Sequence, residues 1–334
     1  MGWFNHNHMP VEGRTILLTG ASEGTGLHAA LIFASKGANI IIVSRNPTKL
    51  EDAIARIKQA AKWPDTQRFY TIVADVAKPN YAESVVADAT AWNDGHPPEI
   101  VWCLAGLATP MLWVDDGAME AARYNRAFAY EPFMTVDVNY FGSAEMSRAI
   151  MRAWLRPEEE QPKTATKTSS PKLSKHLIFT GTVLSTFTMA GHGPYAPSKF
   201  ALRGLADSLV METRLYPDVP IDVHLVLPNS ITTAGYEREN ETKPAITLQL
   251  EAGDVPQAPE VVARVAIEGI EKGYYFVTTS FVGELMRWGA MGNSPRNGWV
   301  LDMVMGCLLP FVMGFVVWDM NRRVSAWGRK EKRA

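Results

Sequence analysis

The chain has 334 residues, 47% of them apolar and 20% charged, so it can bury one large α/β core or two modest ones and is not a disordered polymer. A formal net charge of −2 argues against nucleic acid as a partner, because phosphate-binding surfaces are strongly basic. Cys103 and Cys307 are too few for a disulfide framework or a cysteine-rich metal site, and His6 and His8 have no partner ligands, so an intracellular setting with no metal is expected.

The stretch Met1 to His6 lacks the charged region and long apolar run of a signal peptide, so the N-terminal domain is expected to stay in the cytosol. Thr15 to Leu18 reads as a strand. A Gly-rich turn and a helix with Leu27, Leu31 and Ile32 on one face follow, then Gly37 and the apolar run Ile40 to Val43, which completes a βαβ unit. Asn46-Pro47 reads as a helix N-cap with proline in the first turn. Further strands are expected at Phe69 to Val73, Ile100 to Leu104, Leu177 to Phe179, Val223 to Leu227 and Tyr275 to Val277, each after a helix. These runs are continuously apolar rather than alternating, as strands buried on both faces must be. About seven strands separated by helices predict an α/β fold with a doubly wound, Rossmann-type parallel sheet. Pro157 to Pro171, rich in Glu, Lys, Thr and Ser, reads as a solvated surface insertion, with Thr168, Ser169 and Ser170 as a possible phosphorylation site.

Two constellations carry chemistry. In Thr19-Gly20-Ala21-Ser22-Glu23-Gly24-Thr25-Gly26, Gly20 permits the tight turn, Gly24 lets backbone approach a pyrophosphate, and Gly26 lets the helix pack on the sheet. Ser22 and Glu23 belong to the same dinucleotide turn. The second strand ends Val43-Ser44-Arg45-Asn46 with no carboxylate for a ribose 2′-hydroxyl; Arg45, with Lys49 nearby, suits a 2′-phosphate, so the cofactor is expected to be NADPH. Asp75 and Val76 are placed to hold the adenine, and Gly106 to line the cofactor floor. The second constellation, Tyr195-Ala196-Pro197-Ser198-Lys199, sets a phenol and an ammonium four residues apart on one helix face, where Lys199 would draw the phenol toward the working pH range and bind the nicotinamide ribose.

Together these motifs resemble the short-chain dehydrogenase/reductase family over roughly residues 12 to 280. The resemblance implies that Asn139, in Val138-Asn139-Tyr140-Phe141-Gly142, serves the proton relay. It implies that Thr182 stands where the family has a serine and binds the substrate carbonyl, with Ser185 as the fallback. The stretch Leu227 to Thr233, including Ile231, matches the cofactor-closing segment, and Gly235 to Asn240 resembles the start of a substrate loop. The phosphate turn, the residues after Lys199 and the stretch through Asn240 are similar to the family's sphingoid-base ketoreductases. That likeness implies a long-chain keto-sphingoid lipid substrate, NADPH as reductant, the cytosolic face of the endoplasmic reticulum membrane, and a dimer or tetramer. Steroid, retinoid or fatty-acyl carbonyls, and a catalytically silent NADP-binding membrane scaffold, remain as alternatives on the residues alone.

On this reading residues 1–280 form the reductase domain, and residues 281–334 an apolar membrane-associating segment with a basic tail. Met303 to Trp318 is uncharged and apolar, but sixteen residues at about 1.5 Å each reach only about 24 Å, short of a bilayer core of about 30 Å. Asp302 and Pro310 weaken a span further, so a re-entrant or interfacial anchor is expected, followed by Arg322, Arg323, Arg329, Lys330, Lys332 and Arg333. The last five residues resemble a dilysine retrieval signal. A chain ending near Pro295 is expected to fold.

Overall fold

The computed structural model describes residues 6–116, 118–119, 135–156 and 173–331. The surface insertion expected at residues 157–171, with its hydroxyl cluster, and the tail residues Lys332 to Ala334 lie outside the described residues.

Seven strands form one parallel sheet: β1 (Thr15–Thr19), β2 (Asn39–Ser44), β3 (Phe69–Val73), β4 (Ile100–Cys103), β5 (Lys175–Thr180), β6 (Ile221–Leu227) and β7 (Phe276–Thr278), in spatial order 3-2-1-4-5-6-7. Between them run α1 (Gly24–Ser35), α2 (Pro47–Gln59), α3 (Tyr81–Trp92), α4 (Gly142–Trp154), α5 (Ala196–Glu212), α6 (Ala234–Thr242), α7 (Ala245–Leu250) and α8 (Pro259–Glu271). After β7 come α9 (Phe281–Gly289) and α10 (Trp299–Glu331). Asn46 caps α2 as expected, its Oδ1 accepting from the Lys49 amide at 3.0 Å.

Side chains alternate across the sheet, and both sets are buried. Leu17, Ile41, Val101, Leu177 and Phe179 pack with α3, α4 and α5, while Ile16, Leu18, Ile40, Ile42, Trp102 and Ile178 pack with α1, α2 and α8. That two-sided burial is why the strands read as unbroken apolar runs. The order reverses between β1 and β4, and at such a switch point the crossover loops diverge and leave a crevice at the strands' carboxyl ends. Every candidate motif follows a carboxyl end there.

The C-terminal region departs from the expected picture. The apolar stretch is part of one continuous 33-residue helix that runs through Pro310 and makes no re-entrant turn. At about 1.5 Å per residue it is about 50 Å long, so the length argument against a span does not hold. Trp299–Lys330 is long and apolar enough to cross a membrane by length and composition, and it is largely exposed. The sequence reading stopped the segment at Trp318 because charges follow. Asp319, however, sits on the helix surface with Arg322 and Arg323, at 3.8 and 2.7 Å, and ends nothing. Nor does Asp302 break the element. Its carboxylate is buried and accepts from Arg287 at 2.6 and 3.0 Å, from Trp288 Nε1 at 2.8 Å and from the Asn297 amide at 2.7 Å. Trp288, Met291 and Leu309 form a small apolar cluster around this pair.

Candidate active site

The turn after β1 is shaped by backbone crowding. Gly20 has φ +68°, and a Cβ on it would stand 2.7 Å from the Ala105 nitrogen and Cα; one on Gly26 would stand 2.4 Å from the Gly20 carbonyl. Both positions exclude any side chain and bring β1, the β4 loop and the start of α1 into contact, which leaves free amides of α1 at the crevice. Such a cradle fits a dinucleotide pyrophosphate.

A cavity of about 1920 Å³ runs along the carboxyl edge of the sheet. Gly20, Ser22, Glu23, Gly24 and Gly26 line one end, with Arg45 from the end of β2, Asp75 and Val76 from the end of β3, and Gly106 after β4. Thr182, Tyr195, Lys199 and Ile231 line the other part. Arg45 is exposed and, among the described residues, has no ion-pair partner.

Two candidates are not brought to the wall. Lys49 does not itself line the cavity; its ammonium is held by a lining residue, donating to Glu23 Oε2 at 2.7 Å. Besides Arg45 and Arg238, the cavity wall carries the guanidinium of Arg56, in the last turn of α2. Sequence reasoning missed Arg56, although its place one helix beyond Arg45 was the available signal. Asn139 is fully buried in a π-helical turn, Asp137–Phe141, that leads into α4. Its amide is committed elsewhere: Oδ1 accepts from the Leu107 amide at 2.9 Å, and Nδ2 donates to the Leu107 carbonyl at 2.8 Å and to Ser198 Oγ at 3.0 Å. It therefore ties the β4 loop to α5, and its side chain does not reach the cavity.

Tyr195 stands at the N-cap of α5 and Lys199 one turn inside it. Lys199 Nζ donates to the Thr180 carbonyl at 2.9 Å and lies 6.0 Å from the centre of the Tyr195 ring. Burial lowers its ammonium to about 8. The expectation that Lys199 draws the phenol down is not met in this geometry. Burial pushes the Tyr195 phenol well above its ordinary value, Glu239 adds to the rise, and a hydrogen bond with Thr182 opposes it. A phenol so shifted holds its proton at neutral pH and can act as an acid.

Thr182 faces the cavity, whereas Ser185 is fully buried beneath it. Ser185 Oγ accepts from the Thr182 amide at 3.3 Å, and the Thr182 hydroxyl, besides its hydrogen bond with Tyr195, makes two long contacts, 3.4 Å to the Pro228 carbonyl and 3.4 Å from the Leu184 amide. Thr182 and Tyr195 thus face the cavity as a hydrogen-bonded pair that can meet a substrate oxygen, while Ser185 holds the turn.

The stretch from Gly235 to Asn240 is a helix, α6, rather than the expected loop. Thr233 caps it, its side chain accepting from the Tyr236 amide at 3.2 Å. His192, Glu239 and Glu251 join the wall here, and Val316 and Met320 of α10 close its far end. No spacing in the sequence announces these residues, because they come from four separate segments.

The family model described as short chain dehydrogenase matches residues 14–244. A protein named 3-ketodihydrosphingosine reductase from Neurospora crassa is 54% identical over 332 residues, covering 99% of this chain and 87% of that protein. Another of that name from Aspergillus fumigatus is 36% identical over 339 residues, covering 98% and 88%. Among solved structures, a short chain dehydrogenase/reductase from Burkholderia phymatum in complex with NAD superposes with a TM-score of 0.63 at 17% identity, over 84% of this chain and 94% of that one. At that identity the likeness is one of fold.

Proposed function

Because the chain belongs to the short-chain dehydrogenase family and is an oxidoreductase, we propose that it reduces the 3-keto group of a long-chain sphingoid base to a hydroxyl, with NADPH as hydride donor and Tyr195 as proton donor. The observation that carries the substrate class is the reach of the Neurospora likeness beyond the family core, through the C-terminal helix, combined with the contribution of Val316 and Met320 from that helix to the cavity that holds Tyr195. An acyl chain can thus run from the reacting carbonyl to an apolar, largely exposed helix.

The glycine turn and the α1 amides would hold the dinucleotide, with Arg45 and Arg56 offering charge to a 2′-phosphate and Asp75 and Val76 lining the adenine end. When bound, it supplies the hydride. The chain's own residues do the rest. The Thr182 hydroxyl and the Tyr195 phenol meet the carbonyl oxygen, and the phenol gives up its proton as negative charge develops there. Lys199, buried and cationic on the same wall, would donate to the nicotinamide ribose and hold the dinucleotide against the reacting carbonyl. Asn139 holds the β4 loop and α5 in register so that this geometry persists.

Residues 1–280 act as the reductase unit, and residues 281–334 place it on the endoplasmic reticulum membrane with the catalytic cavity on the cytosolic side. Supporting this reading are the long apolar α10 and the cations Arg322, Arg323, Arg329 and Lys330 near its end. The test is purified full-length protein in detergent micelles with NADPH and 3-ketosphinganine, beside steroid and retinoid ketones. Preferred consumption of the sphingoid ketone, with sphinganine as product, is expected; turnover of the other ketones alone would reject the assignment.

A further inference from the structure

The part of the cavity wall beyond Tyr195 carries Asp116, Glu239, Glu241, Glu251 and Asp254 against the single guanidinium of Arg238. Within it is a built network. Lys243, a buried ammonium, donates to Glu251 Oε2 at 2.7 Å and pairs with Glu239 at 3.1 Å. Glu251 Oε1 pairs with His192 Nε2 at 2.8 Å, and the His192 ring centre lies 6.1 Å from that of Tyr195. The two carboxylates are only 17% and 15% exposed, yet both border the cavity. Lys243 neutralises one of them, and a formal negative charge is left on the wall. His192 is 2% exposed, and its Nδ1 has no hydrogen-bond partner among the described residues. A buried acceptor without a partner costs stability unless a ligand satisfies it.

The substrate proposed above carries a protonated amine on the carbon next to the carbonyl and a hydroxyl on the carbon beyond. We propose that Glu239 and Glu251 bind that ammonium and that His192 Nδ1 accepts a hydrogen bond from the adjoining headgroup, so that these three residues determine specificity for an amino ketone. The inference rests on the sphingoid reading and adds to it the site that tells such a ketone from other lipid carbonyls. Buried carboxylates discriminate strongly, because a neutral ketone would leave the surplus charge desolvated and unpaired. Glu239 and Tyr195 line the same cavity, and the His192 ring that shares the Glu239–Lys243–Glu251 network stands 6.1 Å from the Tyr195 ring, so an ammonium held there shares the wall that meets the carbonyl.

The experiment compares full-length protein acting on 3-ketosphinganine and on 1-hydroxyoctadecan-3-one, which lacks the amine, in identical detergent micelles with NADPH. The readout is the ratio of the two kcat/KM values, which a merely structural role does not move. Wild type should favour the amino ketone. Glu239→Gln and Glu251→Gln should each cut that ratio by about ten- to a hundred-fold, as loss of a charged hydrogen bond does, and Glu239→Asp should retain most of it. NADP⁺ binding checks that each variant is folded; where Glu251→Gln unfolds, the less heavily bonded Glu239 decides alone. A wild-type preference that neither glutamine variant changes, or no wild-type preference, overturns the inference while the sphingoid reading stands. Failure of the wild type to reduce 3-ketosphinganine overturns both.

Discussion

Removing the Asp302 carboxylate should loosen the C-terminal helix from the reductase. In Asp302→Ala, Arg287 keeps Glu284, to which its Nε and Nη2 donate at 3.0 and 2.5 Å. It loses the 2.6 and 3.0 Å bonds to Asp302, and Trp288 Nε1 and the Asn297 amide lose their acceptor. Breaking one side of a buried pair costs about 3–5 kcal/mol; the retained Glu284 places this site near the lower end, about 3 kcal/mol. Against a typical domain stability of about 5–15 kcal/mol that loss is large. Asp302→Asn, which keeps the shape and some acceptor capacity, should cost less. Urea unfolding followed by far-UV circular dichroism measures the difference, and limited trypsin digestion shows whether α10 detaches first. A loss below about 1 kcal/mol with α10 still protected would refute the view that this ion pair fastens the helix.

Other outcomes follow from the same geometry. Tyr195→Phe should abolish reduction while NADPH binding, followed by fluorescence, stays close to wild type. Arg45→Asp should narrow or reverse a preference for NADPH over NADH by about ten- to a hundred-fold in kcat/KM; equal use of both cofactors by wild type would count against the role of Arg45. Thr182→Val should lower kcat about a hundred-fold or more, with Thr182→Ser active and Ser185→Ala losing only the stability of one turn hydrogen bond, about 1 kcal/mol. Since Lys199 titrates near 8 and is needed as a cation, activity should fall as pH rises through about 8, and Lys199→Arg should remove that limb from whatever activity it retains.

The fold was largely legible in the sequence because its signals are local. Apolar runs such as Ile40 to Val43, the Asn46-Pro47 cap and the glycines of the first turn are each decided within a few residues, and the parallel sheet follows from their alternation with helices. Tyr195 and Lys199 were legible for the same reason. What the sequence hid is long-range. Glu251 meets His192 across 59 residues, and Arg287 meets Asp302 from the neighbouring helix, so a charge that reads as an obstacle to a membrane span is in fact the fastening of that helix. For the same reason a chain cut near Pro295 cannot be expected to fold intact. It would leave Arg287 with Glu284 alone, expose Trp288 and Met291, and remove Val316 and Met320 from the cavity.

The most direct test of the catalytic account follows the hydrogen atoms. Purified enzyme supplied with NADPH deuterated at the transferable position and with 3-ketosphinganine should yield sphinganine bearing one deuterium at carbon 3, with none formed by Tyr195→Phe. Undeuterated sphinganine, or deuterated product from Tyr195→Phe at the wild-type rate, would contradict it.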